Sequence, residues 1–231
     1  MNQPFDTRSP FGSVATGHAV QRNKVLRNTY WLLALSMLPT VLGAWVGVQT
    51  GITRSLGGIA GMVLFIGGML AFQFAIHRFR NSGIGVAILM GFTFFMGLML
   101  SRLLGVVLGM GNGTSLVMAA FASTAGVFAT MATLATVIKR DLSGMGRWLF
   151  AGMVAVLIAA VVNMFIGSSA MMLALTALST LIFSLYMLYD VKNIIDGGET
   201  NYIMATTHLF IDIFAVFQNL LALFGIMGGD D

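Results

Sequence analysis

Read for hydropathy, the chain is a series of long apolar runs separated by short polar breaks. A run of about 20 apolar residues matches the hydrocarbon core of a bilayer. Seven such runs can be placed: roughly Tyr30 to Thr50, Leu56 to Ile76, Ile84 to Leu100 with an extension to Leu108, Ser115 to Ile138, Trp148 to Ile166, Ala170 to Ile195 and Ile203 to Met227. The runs are continuous and do not alternate apolar with polar, which argues against a membrane barrel. The pattern therefore predicts an all-α fold, a polytopic seven-transmembrane-helix bundle. Pro39 predicts a kink in the first span. Gly43, Gly47 and Gly51, spaced by four, predict a small-residue face on which a neighbouring backbone can approach closely, and Gly57 and Gly61 repeat the pattern in the second span.

Composition agrees with this reading. Of 231 residues, 58% are hydrophobic and 9% charged, against about 25% charged in soluble domains. The length leaves room for one bundle and no second domain, so the expected organisation is a flexible cytosolic tail over residues 1–27 and a single transmembrane domain over 28–231. The tail is polar, carries Arg8, Arg22, Lys24 and Arg27, and lacks the apolar stretch of a cleavable signal peptide. The net charge of +4 does not indicate a nucleic-acid partner, because the basic residues sit between spans, where they act as orientation signals. Ten lysines and arginines fall on the side of the tail, and only Arg54 and Arg102 on the other. This bias predicts a cytoplasmic amino terminus and, with seven spans, a carboxyl terminus outside.

Little in the chain resembles catalytic machinery. With no cysteine, disulfides and thiolate metal sites are excluded, and the three histidines form no metal-binding motif. Gly109 to Gly113, GMGNG, has neither the preceding strand nor the Lys-Ser/Thr of a phosphate-binding loop and reads as a turn. The hydroxyls of Ser123, Thr124, Thr130, Thr133 and Thr136 in the fourth span could line a wet path or bond to their own helix. The chain is not expected to be an enzyme or to hold a cofactor.

The chemistry is concentrated in two carboxylates. Asp190 and Asp212 interrupt the sixth and seventh spans, and an ionisable residue inside a span marks a functional site by default. Counting inward from the turn between these spans at about 1.5 Å per residue, Asp190 lies about 9 Å deep and Asp212 about 13 Å deep. On antiparallel neighbours they can meet. Two carboxyls in contact in a low-dielectric setting should share a single proton. Fully deprotonated, the pair would be a hard oxygen site suited to Ca²⁺. The plainer alternative is that Asp190 pairs with Lys192 or lies near the cytosolic surface, and that Asp212 bonds to a serine or to His208. His208 and Asn219 share a helix face with Asp212, so His208 can tune or relay the proton while Asn219, with Gln218, lines a polar seam. Arg78 and Arg80, at a span end, either snorkel to the interface, the default for such residues, or bridge to the pair and hold it shut.

The stretch YDVKNIIDGGETNYIMATTHLFIDIF, within Tyr189 to Phe217, closely resembles the signature of the transmembrane Bax inhibitor motif family, the Bax inhibitor 1-like membrane proteins, and bacterial members in particular. NKVLRNTYWLL, Asn23 to Leu33, resembles the opening of a bacterial subgroup. The resemblance implies a seven-helix bundle with a central last helix, a place in a bacterial inner membrane, and a pH-sensitive Ca²⁺ leak. In it, the aspartate pair that maps onto Asp190 and Asp212 senses protons, and a second-helix arginine acts as latch, for which Arg78 is the best match. The subgroup resembles proteins linked to a membrane-anchored ATP-dependent protease, which implies a second function, regulation of such a protease. The expected partners are thus the bilayer, calcium ions, protons and a membrane protease. A proton-coupled transporter is disfavoured because no pair of broken helices occurs in corresponding halves. An intramembrane aspartyl protease is disfavoured because neither aspartate sits in a GxGD-type context.

Overall fold

Seven helices and no strand make up the described residues of the computed structural model, 10–53 and 58–228. They are α1 (Pro10–Thr50), α2 (Gly58–Phe79), α3 (Gly83–Leu108), α4 (Gly113–Val137), α5 (Met145–Ile166), α6 (Ser169–Asp196) and α7 (Tyr202–Gly228). Each is long and apolar enough to cross a membrane. The expected spans all form, and the helices exceed them mostly at the ends. The large departure is α1, whose 41 residues take in residues 10–27, expected to be flexible tail. Nothing between Pro10 and Pro39 forces the backbone out of helix, and α1 continues unbroken through Pro39 as well. Arg8, Arg54 and Gly57, named above, lie outside the described residues.

Glycine acts in two different ways in the first span. Gly43 and Gly47 pack: a Cβ on Gly43 would fall on the Phe94 carbonyl oxygen of α3, and one on Gly47 would fall on Ser101. Gly97 of α3 returns the contact, abutting the Thr40 carbonyl of α1. Gly51, expected to extend the same face, has φ 63° and terminates α1, since the left-handed region is open to glycine at little cost.

The expected central position of the last helix is observed. Among the described residues, α7 packs on α1, α2, α3, α4 and α6, whereas α5 packs on α6 alone. Ile203, Ala205, Leu209, Phe210 and Phe214 of α7 join a core that includes Leu89, Phe92 and Met96 of α3 and Leu188, Val191 and Ile194 of α6. A chain of rings crosses this core from α2 to α7, with centroids 5.8 Å apart for Phe72 and Phe92, for Phe92 and Phe210, and for Phe210 and Phe214. The outer faces are apolar, with Trp148 82% and Phe165 87% exposed on α5, as expected of surface that meets lipid.

The polar residues inside the spans are largely satisfied locally. Thr124, Thr130, Thr133 and Thr136 each donate to a carbonyl three or four residues earlier in α4, at 2.7–2.8 Å, so these hydroxyls do not define a wet path. Asn163 accepts from the Ser168 N–H at 3.1 Å and shapes the turn between α5 and α6.

Candidate functional site

The site begins with the turn between α6 and α7. Gly197, with φ 84°, ends α6 in the left-handed conformation, and the N–H groups of Gly197 and Gly198 close back on the Ile194 and Asn193 carbonyls at 3.1 and 2.9 Å. Asn201 then starts α7. Its Oδ1 accepts from the N–H groups of Ile203 and Met204, at 3.0 and 3.1 Å, as an N-cap does. Its Nδ2 donates to the Arg80 carbonyl and to Asn81 Oδ1, at 2.9 and 2.8 Å. One side chain thus caps the helix and ties it to the connection between α2 and α3. The register of α7 against α6 follows from this short, pinned turn.

That register brings the two carboxylates together. Asp190 of α6 and Asp212 of α7 lie within direct interaction reach of each other. Asp212 is 4% exposed, and its Oδ2 is buried without a hydrogen-bond partner. Asp190 is half-buried. His208, one turn before Asp212, lies close enough to Asp190 to act on it electrostatically, as does Glu199. Asn219 extends the seam away from the turn, its Nδ2 donating to Ser179 Oγ of α6 at 2.9 Å. His208, Asp212 and Asn219 therefore all engage α6 from one face of α7, whereas Gln218 is exposed. Neither of the plainer pairings holds: Lys192 bonds to Asp196 at 2.8 Å and not to Asp190, and Asp212 Oδ2 has neither serine nor histidine on it.

Arg78 is placed differently from the expected bridge. It is exposed, and its guanidinium lies 5.9 Å from the Phe79 ring centroid and on neither carboxyl. Arg80 is also exposed and meets α7 through its backbone carbonyl. Two groups near the pair were not singled out in the sequence: Tyr186, one helical turn before Asp190 and close to both carboxyls, and Glu199 in the turn. The spacing of four between Tyr186 and Asp190 was the available signal, but a tyrosine near a span end is unremarkable in membrane sequences.

On the adjoining surface, an open cavity of about 190 Å³ lies between α6 and the connection from α4 to α5, lined by Asp141, Ser143, Tyr189, Lys192, Asn193 and Asp196 among others. The N–H and hydroxyl of Ser143 bond to Asp141, at 2.8 and 2.9 Å. With a smaller contribution from nearby Lys192, they hold its carboxyl below the usual carboxylate range. Among the described residues no group of three or more histidine and acidic side chains is placed to hold a metal. The dyad offers two carboxyl groups only, a set that can exchange one proton or pass a hard cation.

A polytopic helical bundle organised on a central last helix, with two carboxylates facing across α6 and α7, defines a class of membrane proteins. The chain matches the family described as inhibitor of apoptosis-promoting Bax1 over residues 22–229 and belongs to that Bax inhibitor family. It is 36% identical over 222 residues to an uncharacterized protein of Neisseria meningitidis, covering 94% of this chain and 96% of the relative. It is 33% identical over 231 residues to an uncharacterized membrane protein of Vibrio cholerae, covering 100% of both. It is also 36% identical over 208 residues to the Escherichia coli protein named modulator of FtsH protease YccA, covering 90% of this chain and 92% of that one; the same protein in a second Escherichia coli strain is named inner membrane protein YccA.

Proposed function

We propose that this chain is a membrane-embedded modulator of a membrane-anchored ATP-dependent protease, resident in a bacterial inner membrane with its amino terminus in the cytoplasm. The observation that carries the reading is the match, over nearly the whole length of both chains, to the relative named as modulator of FtsH protease. The shape of α1 supports it. At 41 residues and about 1.5 Å per residue the helix is about 60 Å long, twice the roughly 30 Å hydrocarbon core, so its first turns project well beyond the bilayer and offer a handle to a large partner. The test is the half-life of a membrane-protein substrate of the protease in cells expressing the full chain or a form lacking residues 2–20. A change of twofold or more with the full chain, lost on truncation at equal expression, is expected. An unchanged half-life with the full chain would overturn the proposal.

The geometry of the dyad favours a second reading, a pH-sensitive calcium leak gated by Asp190 and Asp212. An unpartnered carboxyl oxygen inside a packed bundle is costly to keep, and a shared proton or a passing cation would satisfy it. Ca²⁺ entry into dye-loaded proteoliposomes, followed between about pH 5 and pH 8 for wild type, Asp190→Asn and Asp212→Asn, addresses this reading. It expects a pH-dependent flux altered in both variants. An Asp212→Asn protein with the wild-type pH profile would sink it and leave the protease reading standing.

A further inference from the structure

At the end of the bundle opposite the dyad, the last turns of α1 and α3 enclose an open cavity of about 290 Å³. Gly105 leaves its floor open, Val48 and Val106 form apolar walls, and Val106 is 60% exposed on the outer surface. Among the described residues, its one charged lining residue is Arg102.

Arg102 lies inside a membrane span and, among the described residues, has no ion pair or hydrogen bond. The depth can be reckoned from α3. Its 26 residues extend about 39 Å, some 9 Å more than a hydrocarbon core of about 30 Å. A centred helix thus emerges by about 4 to 5 Å at each end. Arg102 is six residues from the last residue of α3, so its Cα lies about 9 Å from the helix end, just within the hydrocarbon, and its long side chain reaches the level of the lipid phosphates. A guanidinium offers five donors that pair bidentately with phosphate.

The other polar groups of the cavity refine the ligand. Ser101 Oγ–H donates to the Leu98 carbonyl at 2.6 Å. The 2.8 Å bond between Ser101 and Thr53 is therefore donated by Thr53, because a hydroxyl has one proton. Both hydroxyl protons are committed, and Thr53 Oγ1 keeps lone pairs that can accept. Arginine donors beside a hydroxyl acceptor, at headgroup depth and flanked by apolar wall, match a phosphate that carries hydroxyl-bearing substituents.

We propose that this cavity binds an anionic phospholipid with a hydroxyl-bearing headgroup, its phosphate held by Arg102. The test is native mass spectrometry of the full chain released from detergent in the presence of dioleoylphosphatidylglycerol or dioleoylphosphatidylcholine. Two variants accompany wild type. Arg102→Gln removes the charge, and Gly105→Leu fills the cavity at a position where an added Cβ meets no atom within 4 Å, so that loss of binding does not require loss of fold. The phosphatidylglycerol complex should persist at about tenfold lower lipid than the phosphatidylcholine complex, and about tenfold more should be needed in either variant. Equal retention of the two lipids, or retention unaltered in both variants, would overturn the proposal. Displacement of the lipid by millimolar inorganic phosphate would overturn it in favour of a free-anion site.

Discussion

Asp212 is the residue whose placement is hardest to justify on stability alone. A buried polar atom without a partner costs about 1 to 3 kcal/mol, and Asp212 Oδ2 is such an atom, while an apolar side chain of similar volume carries no such cost. Asp212→Leu is therefore expected to hold or raise the unfolding midpoint by a few degrees; a fall of more than about 5 °C would make Asp212 a structural residue. The sequence exposed this residue because a carboxylate within FIDIF is flanked on both sides by apolar residues. Lys192 was less legible. Asp190 is its nearer acid in sequence, but residues two apart diverge around a helix whereas those four apart share a face, and the ion pair accordingly forms with Asp196.

Among the helices, the tightest coupling is between α1 and α3, where backbones touch. Gly97→Ala places a methyl group on the Thr40 carbonyl of α1 and must push the two helices apart, so a loss of about 1 to 3 kcal/mol is expected. Gly67→Ala in α2 is the control. Nothing lies within 4 Å of its added Cβ, and replacing a helical glycine there should stabilise by about 0.5 to 1 kcal/mol. Urea or thermal unfolding in one detergent would compare the two, and a Gly97→Ala protein as stable as wild type would mean that the helices separate freely. The spacing of Gly43 and Gly47 announced a packing face, but the partner helix was not readable, because small residues permit an approach without naming who approaches. Gly51 fits the same spacing and serves a different end, since what distinguishes it is a backbone angle.

For the molecule as a whole, the distribution of lysine and arginine predicts that the ends of α6 and α2 face the cytoplasm. The chain contains no cysteine, so single introduced thiols report orientation without background. Arg140→Cys, in the exposed connection between α4 and α5, should react with an impermeant maleimide only after the cytoplasmic face is opened. Gly111→Cys, exposed between α3 and α4, should react in intact spheroplasts. The reverse pattern would overturn the orientation. The same arrangement leaves α5, among the described residues, attached through α6 alone, the placement expected of a helix with aromatic residues directed to lipid.

Hydropathy determined the membrane class, the number of helices and their approximate limits, because each span must satisfy its own backbone in hydrocarbon and so announces itself as one long apolar run. Asp190 and Asp212 were legible for the same reason, as exceptions to that rule. Tertiary structure decided which exceptions meet. The left-handed Gly197, the Asn201 cap and its bonds to Arg80 and Asn81 set the register that brings Asp190 to Asp212 and Ser179 to Asn219. It also decided that Arg78 lies over Phe79, away from both carboxyls, and that Arg102 opens into a cavity. Those outcomes depend on the relative rotation and height of whole helices, and the periodicity of a single span carries no information about its neighbour's.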